Sequence, residues 1–196
     1  MNQNISWRHL LLFFQFLIEI PFRLLRDQWK RSKLSTTGAK IAASSIIRIT
    51  GECEIKLSPG VAIGHGTILV ADSQSKSGSG RIVIGCDSAI NEFCNIRASG
   101  SEIIIGQKCL IAQFVSIISS NHGLETDRPM IDQNWNLEKS GVFIGDDVWI
   151  GTGAIILPGI KIGSGAVIGA GSVVNRNIPA MEIWVGVPAR CVSIRV

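Results

Sequence analysis

The chemistry open to this sequence depends first on its histidines, because imidazole is the side chain whose charge changes near neutral pH. The chain contains three of them. His9 lies in an apolar, helix-like N-terminal segment, and His65 lies in the corner-like stretch "IGHG". His122 stands in "SSNHGLETDRP", at the start of a long segment that interrupts a regular repeat. An imidazole in such a loop can act as a general base, so His122 is the first candidate for catalysis.

Metal chemistry and disulfides have less support in the sequence. A zinc site built on histidines needs three of them, and there is no H-x4-H spacing. The five cysteines are odd in number and include no C-x-x-C pair, which argues against a disulfide framework and a zinc ribbon. We expect reduced cysteines packed as small apolar side chains in a cytosolic protein, with no required metal.

The element that must position His122 repeats every six residues. An aliphatic residue recurs at this spacing at Ile144, Ile150, Ile156, Ile162, Ile168 and Val174. Neither an α-helix nor a flat strand has this period. A chain that winds around a triangular coil, with one inward aliphatic on each side, does have it, and about 18 residues then complete one coil. Stacked coils would pair at the ~4.8 Å spacing of a sheet, with glycine at corners that need positive φ.

Weaker repeats extend the pattern towards the N-terminus. Their aliphatic positions are Leu57, Ile63 and Leu69, then Ile84, Ile90 and Ile96, then Ile105, Ile111 and Ile117. A polar insertion at 71–80, a slip at 97–102 and a long loop at 119–140 separate the sets. We therefore predict an all-β protein, a parallel β-helix of about seven coils. Its predicted parts are an amphipathic N-terminal helical segment (1–33), a linker (34–45), the repeat body (46–178) and a C-terminal cap (179–196).

Residues 5–33 combine an apolar surface with basic charge. Seven basic and two acidic residues give residues 1–40 a net charge of +5, whereas the whole chain carries +4. The apolar run at 10–20 is shorter than the roughly 20 residues of a membrane span. We expect a helix lying in the membrane interface, which would place the protein on the inner face of the cytoplasmic membrane. The alternative is that this segment caps the open β-helix or packs between subunits. The body has no basic stripe, so nucleic acid is excluded as a partner.

The segments "GDDVWIGTGAIILPGIKIG", "VIGAGSVV" and "IPAMEIWVGVPAR" resemble the hexapeptide-repeat acyltransferases, in particular sugar O-acetyltransferases of the galactoside and maltose acetyltransferase type and their cell-surface-polysaccharide relatives. The similarity covers about residues 46–195 and is most specific over 141–190. It implies a left-handed β-helix, a homotrimer, a carbohydrate acceptor, and acetyl-CoA held in a groove between neighbouring subunits.

The resemblance also implies roles for individual residues. His122 matches the catalytic histidine, which takes the proton of the acceptor hydroxyl in a direct transfer. Asn91, in "INEFCNI", matches an asparagine that faces the acceptor. Glu125 or Asp127 are candidates to orient the imidazole. The family members that acetylate free sugars carry an acidic residue where this chain has Ala98, so the resemblance leaves the identity of the acceptor open.

The cofactor residues implied by the resemblance lie in the C-terminal repeats. They are Trp149, Gly151, Thr152, Ala170, Asn175, Arg176 and Arg190. The aromatic ring of Trp149 would line the groove, the small residues would let pantetheine approach the backbone, and the two arginines would meet the phosphates of CoA. Arg195 is a candidate to replace a further family arginine, and Gln133 and Trp135 are candidates for the acceptor pocket.

Three other functions remain open from the sequence. One is a serine O-acetyltransferase, although those enzymes carry a larger N-terminal helical domain. Another is a sugar N-acyltransferase on the same fold. The third is a non-enzymatic β-helix scaffold, which would need neither a histidine on a loop nor the "GVPAR" segment.

Overall fold

The six-residue repeat winds the chain into coils of three short strands each. The structure is a computed structural model that describes Leu25, Gln28, Trp29 and residues 32–73 and 78–196. Three parallel sheets run along the stack of coils and enclose one core. The predicted all-β architecture and parallel β-helix are thereby confirmed.

The strands follow one another coil by coil. Coils 1 to 3 are β1 (Lys40–Ile41), β2 (Ile46–Ile49) and β3 (Glu54–Leu57); β4 (Ala62–Ile63), β5 (Ile68–Asp72) and β6 (Arg81–Ile84); and β7 (Ala89–Ile90), β8 (Asn95–Ser99) and β9 (Glu102–Ile105). Coil 4 holds β10 (Leu110–Ile111), β11 (Ser116–Ile118), a loop with β12 (Asn121–His122), a 3-10 turn (Met130–Asp132) and β13 (Trp135–Asn136), and then β14 (Val142–Ile144). Coils 5 to 7 are β15 (Trp149–Ile150), β16 (Ile155–Ile156) and β17 (Ile160–Ile162); β18 (Val167–Ile168) and β19 (Val173–Val174); and β20 (Glu182–Val185), which is followed by β21 (Arg190–Ile194).

Each side of the coil contributes to one sheet. Sheet A contains β1, β4, β7, β10, β15, β18 and β20 in parallel, with β21 added antiparallel at its end. Sheet B runs β2, β5, β8, β11, β16, β19, and sheet C runs β3, β6, β9, β14, β17. A bridge between Ile162 and Ile178 closes coil 6 on the sheet C side. Six coils are therefore complete and β20 begins a seventh, as predicted.

The hexad aliphatics form the interior columns of the β-helix. In register, Ile63 lies over Ile90 and Ile111 over Ile150, so the side chains of successive coils stack directly. All fifteen predicted positions are 3% exposed or less. Smaller residues fill the remaining space, including Cys94 and Cys109. Burial raises the pKa of both thiols, in keeping with cysteines that serve as small apolar side chains.

The β-helix extends past both predicted boundaries of the repeat body. In the predicted linker, β1 pairs with β4 through Lys40 and Ala62. In the predicted cap, β20 pairs with β18 and places Trp184, 8% exposed, over Ile168. The six-residue aliphatic pattern did not include Trp184, because an indole and not an aliphatic side chain occupies the interior column at that position. Its Nε1–H is satisfied by donating to Glu182 Oε2 at 2.7 Å.

The first coil is covered by the end of the helical segment. Residues 32–35 are α-helical, and Leu34 packs against the core. Most of the predicted helix at 5–33 lies outside the described residues. None of the helices in the described part has the length and apolar character needed to cross a membrane.

The glycines of the hexads serve close approach more than turn geometry. Gly151 has no positive φ, but a Cβ on it would lie 2.6 Å from the backbone nitrogen of Ala170 in the next coil. The left-handed corner residue comes two positions later, as at Gly153 with φ 69°. Six of these corners are not glycine, although an L-residue there costs about 1–2 kcal/mol. They are Asp87, Phe93, Lys108, Phe114, Asp147 and Met181.

The columns predict a large stability difference between inward and outward aliphatics. Ile111→Ala empties a fully buried position, so we expect the free energy of unfolding to fall by about 2–5 kcal/mol. Ile131→Ala removes a side chain that is 85% exposed and should change it by less than about 0.5 kcal/mol. Denaturant unfolding followed by circular dichroism measures both. Equal losses would contradict the assigned core.

Candidate active site

The three corners of the triangular coil form edges that run along the stack. We call them edge AB, edge BC and edge CA, after the sheets that each one joins in chain order. Asn91 follows β7 of sheet A and therefore lies on edge AB, in coil 3. His122 follows β11 of sheet B and leaves the body at edge BC, in coil 4. The structure thus does not bring the two predicted catalytic residues together within one chain.

His122 is carried on a short antiparallel ribbon. In this ribbon β12 pairs with β13, with His122 opposite Trp135. Both β12 residues are exposed, so the ribbon projects from the coils instead of packing on them. Within the described part of the chain, no group is hydrogen-bonded to the imidazole ring of His122. Both ring nitrogens are therefore free to meet a substrate.

The rest of the loop is organised around Gln133. This side chain is only 4% exposed, and its Nε2 donates to the carbonyl oxygens of Glu125 at 2.8 Å and Arg128 at 3.0 Å. Its Oε1 accepts from the backbone N–H of Glu125 at 2.9 Å. The amide of Gln133 is thus occupied in shaping the loop, and this chain does not offer it to an acceptor.

The acidic residues considered as partners for His122 face Arg128 instead. The guanidinium binds Asp127 Oδ2 at 3.0 Å and Glu125 Oε2 at 3.1 Å. The hydrogen bond from Arg128 lowers the pKa of the Asp127 carboxyl. Trp135, half-buried opposite His122, helps to line a cavity of about 440 Å³ beside the ribbon, together with Arg128 and Leu137. The lining begins at Gly123, the residue after His122, and does not include the imidazole itself.

Asn91 has its backbone occupied and its side chain available. Its N–H donates to the Ile111 carbonyl at 2.9 Å, and its carbonyl accepts from Thr67 Oγ1 at 2.6 Å. These bonds to the coils on either side hold the residue in place. None of the described residues is hydrogen-bonded to the Asn91 amide group, which can therefore orient a ligand.

Three predicted cofactor residues continue edge AB above Asn91. Gly151 and Thr152 form the corner of coil 5, and Ala170 lies in the corner of coil 6. Thr152 Oγ1 donates to Gln113 Oε1 at 3.2 Å, which ties coil 5 to coil 4. Apart from each glycine and its two chain neighbours, no described residue has an atom within 4 Å of the place where a Cβ on Gly153 or Gly171 would stand. The upper part of this edge is therefore bare backbone that a narrow chain can approach.

Arg190 lies close to the same edge, whereas Trp149 lines a groove of sheet A with Asp147 and Arg195 of edge CA. The Ala189 N–H donates to the carbonyl of Val173 at 2.9 Å, which holds the segment before Arg190 beside β19, the last strand of sheet B. From β21, which begins at Arg190, to β10 of coil 4 is four strand spacings in sheet A, or ~19 Å. This is comparable to the length of an extended phosphopantetheine arm. Trp149 stands on the outer face of sheet A in coil 5 and is 53% exposed.

The other two predicted cofactor residues lie elsewhere. Asn175 and Arg176 follow β19 of sheet B, so they belong to edge BC, the edge from which the His122 ribbon rises. Both are exposed. Arg195 is used differently from the prediction, since its Nη1 binds Asp147 Oδ2 at 2.9 Å and so holds β21 to edge CA. Among the described residues, no His, Cys, Asp and Glu side chains gather as a metal site.

The sequence analysis did not identify an aromatic pair on edge AB. The rings of Phe93 and Phe114 are stacked, with their centroids 5.4 Å apart and their planes at 8°. A signal was present, because each residue stands three positions after a column isoleucine, where "IGTG" and "IGAG" place Gly153 and Gly171. A bulky residue at a left-handed corner is rare enough to mark the position.

Comparison with known proteins agrees with this architecture. Residues 141–176 match the family model described as bacterial transferase hexapeptide (six repeats), and this repeat forms the left-handed β-helix. A mutant form of AntD, an N-acyltransferase from Bacillus cereus in complex with dTDP and coenzyme A, shares the fold with a TM-score of 0.68. That alignment has 23% identity and covers 84% of this chain and 88% of AntD.

Two curated proteins of Escherichia coli are similar in sequence. WbbJ of strain K12, named for O-acetyl transfer in lipopolysaccharide biosynthesis, is 39% identical over 122 residues, which cover 59% of this chain and 62% of WbbJ. The chain therefore spans less than two thirds of WbbJ. The dTDP-4-amino-4,6-dideoxy-D-glucose acyltransferase is 34% identical over 152 residues, which cover 65% of this chain and 79% of that protein. With this identity and coverage, and with a left-handed β-helix of hexapeptide repeats, the chain belongs to the hexapeptide-repeat acyltransferase family.

Proposed function

We propose that this protein is an acetyl-CoA-dependent O-acetyltransferase whose acceptor is a sugar hydroxyl. The observation that carries the proposal is the ribbon that lifts His122 off the body and leaves its ring without a hydrogen bond to any described residue. Names of relatives add support, since WbbJ is named for O-acetyl transfer and a similar Escherichia coli protein is named galactoside O-acetyltransferase. A scaffold would have no use for an exposed imidazole held on a braced loop.

In the proposed reaction His122 is the general base. One ring nitrogen takes the proton of the acceptor hydroxyl while its oxygen attacks the thioester carbonyl carbon. The new C–O bond forms as the C–S bond breaks, and the imidazolium returns the proton to the leaving sulfur of CoA. In this proposal the acetyl group passes directly from CoA to the sugar, without an acetyl-enzyme. The free amide of Asn91 would orient the acceptor or stabilise the oxyanion.

The proposed site needs two copies of the chain. Asn91 and the bare corners lie on edge AB of the β-helix, whereas His122 and Arg176 lie on edge BC of the same chain. A neighbouring subunit can bring its edge BC to this edge AB, which would assemble both halves. We therefore propose a homotrimer, in which three equivalent sites form between neighbours. The half-exposed side chains of Leu110 and Trp149 on sheet A give an apolar surface for such contacts.

Acetyl-CoA would lie along edge AB. The phosphates would meet Arg190 in coil 7 and Arg176 of a neighbour, the pantetheine would run past Gly151, Thr152 and Ala170, and Trp149 would line the groove. The thioester then reaches the level of coil 4, one coil above Asn91. Structural relatives support this cofactor, since a galactoside acetyltransferase and a Vibrio cholerae acetyltransferase of this fold were solved with coenzyme A and acetyl-CoA respectively.

The acceptor we propose is a sugar of a cell-surface polysaccharide or its lipid-linked precursor. The basic, apolar segment at 5–33 supports a peripheral position on the inner face of the cytoplasmic membrane, where such precursors are built. A second candidate is an amino sugar carried on a nucleotide. The similarity to an acyltransferase named for dTDP-4-amino-4,6-dideoxy-D-glucose favours it. Transfer of labelled acetyl groups from acetyl-CoA to panels of glycans and nucleotide-linked amino sugars separates the two.

His122→Ala should abolish most of the activity without affecting assembly. We expect kcat on the identified acceptor to fall roughly 10²–10⁴-fold, the usual contribution of a positioned general base, while the Kd for acetyl-CoA is unchanged. His65→Ala is the matched control, because that ring bonds Ser44 Oγ on another coil. Near-wild-type turnover by His122→Ala, or isolation of a stable acetyl-enzyme, would rule out the mechanism. Asn91→Ala should lose less, mainly in the KM for the acceptor.

Arg176→Ala and Arg190→Ala should weaken the binding of acetyl-CoA. Loss of one charge-assisted hydrogen bond to a phosphate is worth about 1–3 kcal/mol, which is roughly a 5- to 150-fold rise in Kd. Isothermal titration calorimetry measures it. The control is Arg81→Ala, since Arg81 lies in coil 2, four coils below Arg176, and forms ion pairs with Glu54 and Glu102. If the control weakens binding equally, the cofactor does not lie where we place it.

Deletion of residues 5–33 should release the protein from membranes. Full-length protein should sediment with vesicles that contain anionic lipid, and a high-salt wash should weaken binding without abolishing it, because basic and apolar groups both contribute. The truncated chain keeps Leu34, which covers the first coil. Full-length protein that stays in the supernatant would instead favour a segment that caps the body or packs between subunits.

A further inference from the structure

Phe93 and Phe114 adopt an unusual backbone conformation and are exposed. Their φ angles are 56° and 60°, in the left-handed region that bulky side chains rarely occupy. Both side chains remain more than half exposed, at 56% and 59%. At the same corner along edge AB, coils 2, 5 and 6 carry glycine, namely Gly66, Gly153 and Gly171, and coil 1 carries Ser44. A strained backbone that holds two aromatic rings at the surface suggests a use for those rings.

Each ring covers the corner of the coil beneath it. The ring of Phe93 occupies the space outside Gly66, where a Cβ would collide with it. The ring of Phe114 is stacked on that of Phe93 in turn. Above them the pattern stops, because no described atom lies near the Cβ positions of Gly153 and Gly171. Edge AB is therefore filled beside its lower coils and bare beside coils 5 and 6.

The boundary between the filled and the bare parts falls at the chemically important level. A pantetheine arm that starts from phosphates at Arg190 in coil 7 and follows the bare corners downwards arrives at Phe114 in coil 4. Asn91 lies one coil lower on the same edge. An acyl group on the sulfur would therefore point at the stacked rings, which occupy the path along which a longer chain would have to continue.

We infer that the Phe93–Phe114 pair is a stop that closes the acyl end of the cofactor groove and restricts the donor to short acyl groups. This inference rests on the proposed function, because it needs acyl-CoA on edge AB. Phe114 makes the contact with the acyl group, and Phe93 supports its ring from below. The close stacking leaves no gap between the rings for a methylene chain.

Two other uses of the rings are weaker. A platform for the acceptor sugar would need an open ring face beside Asn91, but the lower ring is covered by Phe114 above and by the Gly66 corner below. A contact with a neighbouring subunit would be served equally well by aliphatic residues on unstrained backbone. Neither use makes the affinity for acyl-CoA depend on the length of the acyl chain, so the length dependence distinguishes them from a stop.

The test measures Kd by calorimetry for CoA, acetyl-CoA, butyryl-CoA and hexanoyl-CoA with the full-length protein, so no acceptor is required. Wild type should bind hexanoyl-CoA at least about tenfold more weakly than acetyl-CoA, since a filled pocket discriminates strongly against added methylenes. In Phe114→Gly and in Phe93→Gly/Phe114→Gly this ratio should fall close to one. Both substitutions install the residue that the neighbouring corners use, so the left-handed backbone is retained.

Met181→Gly is the matched control. Met181 is also a large residue at a left-handed corner, with φ 63°, but it lies on edge CA. It should keep the wild-type ratio. Equal affinities in wild type, or an unchanged ratio in the double variant, would overturn the stop and leave the proposed function intact. Failure of CoA and all acyl-CoAs to bind wild type would overturn the proposed function, and the stop with it.

Discussion

The structure depends on one constraint. Every coil must pair its backbone with the coil below and, in the same register, stack an aliphatic side chain in the interior column. Ile63, Ile90 and Ile111 show this, since each lies in register with the next and none reaches solvent. The pairing fixes the rise per coil at the sheet spacing of ~4.8 Å. As a result, the height of any group on an edge follows from its place in the repeat, and Arg190, Thr152, Phe114 and Asn91 stand at known intervals.

The same constraint explains why the candidate site is divided. Each corner of the triangular coil presents its side chains outwards. Side chains on edges AB, BC and CA of one chain therefore point in three different directions. The predicted cofactor residues of edge AB therefore cannot meet the His122 ribbon of edge BC without a second molecule. The long loop of coil 4 does not close this separation within one chain. The side chains of Gln133 and Arg128 bind the backbone and the carboxylates of the loop itself. The half-exposed Trp149 and Leu110 on sheet A fit the same picture of a prism with apolar surface left to bury.

The interior was predictable because a fully enclosed column position accepts little except an aliphatic side chain. The first and last residues of the repeat body were not predictable. Trp184 fills the interior column although it is not aliphatic, and β1 is only two residues long. The resemblance was enough to list the candidate residues. Their distribution over two edges could not be predicted, because it depends on which strand of the coil each residue follows. Phe93 and Phe114 were missed because the expected residue at a left-handed corner is glycine. The partners of Glu125, Asp127 and Gln133 depend on loop geometry that no repeat encodes.

The irregularities of the repeat share one location. The polar insertion between β5 and β6, the slip between β8 and β9 and the long loop between β11 and β14 all leave sheet B and return at sheet C. Edge BC is thus where the fold accepts extra chain without disturbing the columns, while edge AB keeps its regular corners throughout. Variation can therefore accumulate on one edge and leave the other alone. The ribbon that carries His122 can therefore be replaced in length and sequence while the coils of edge AB keep their geometry.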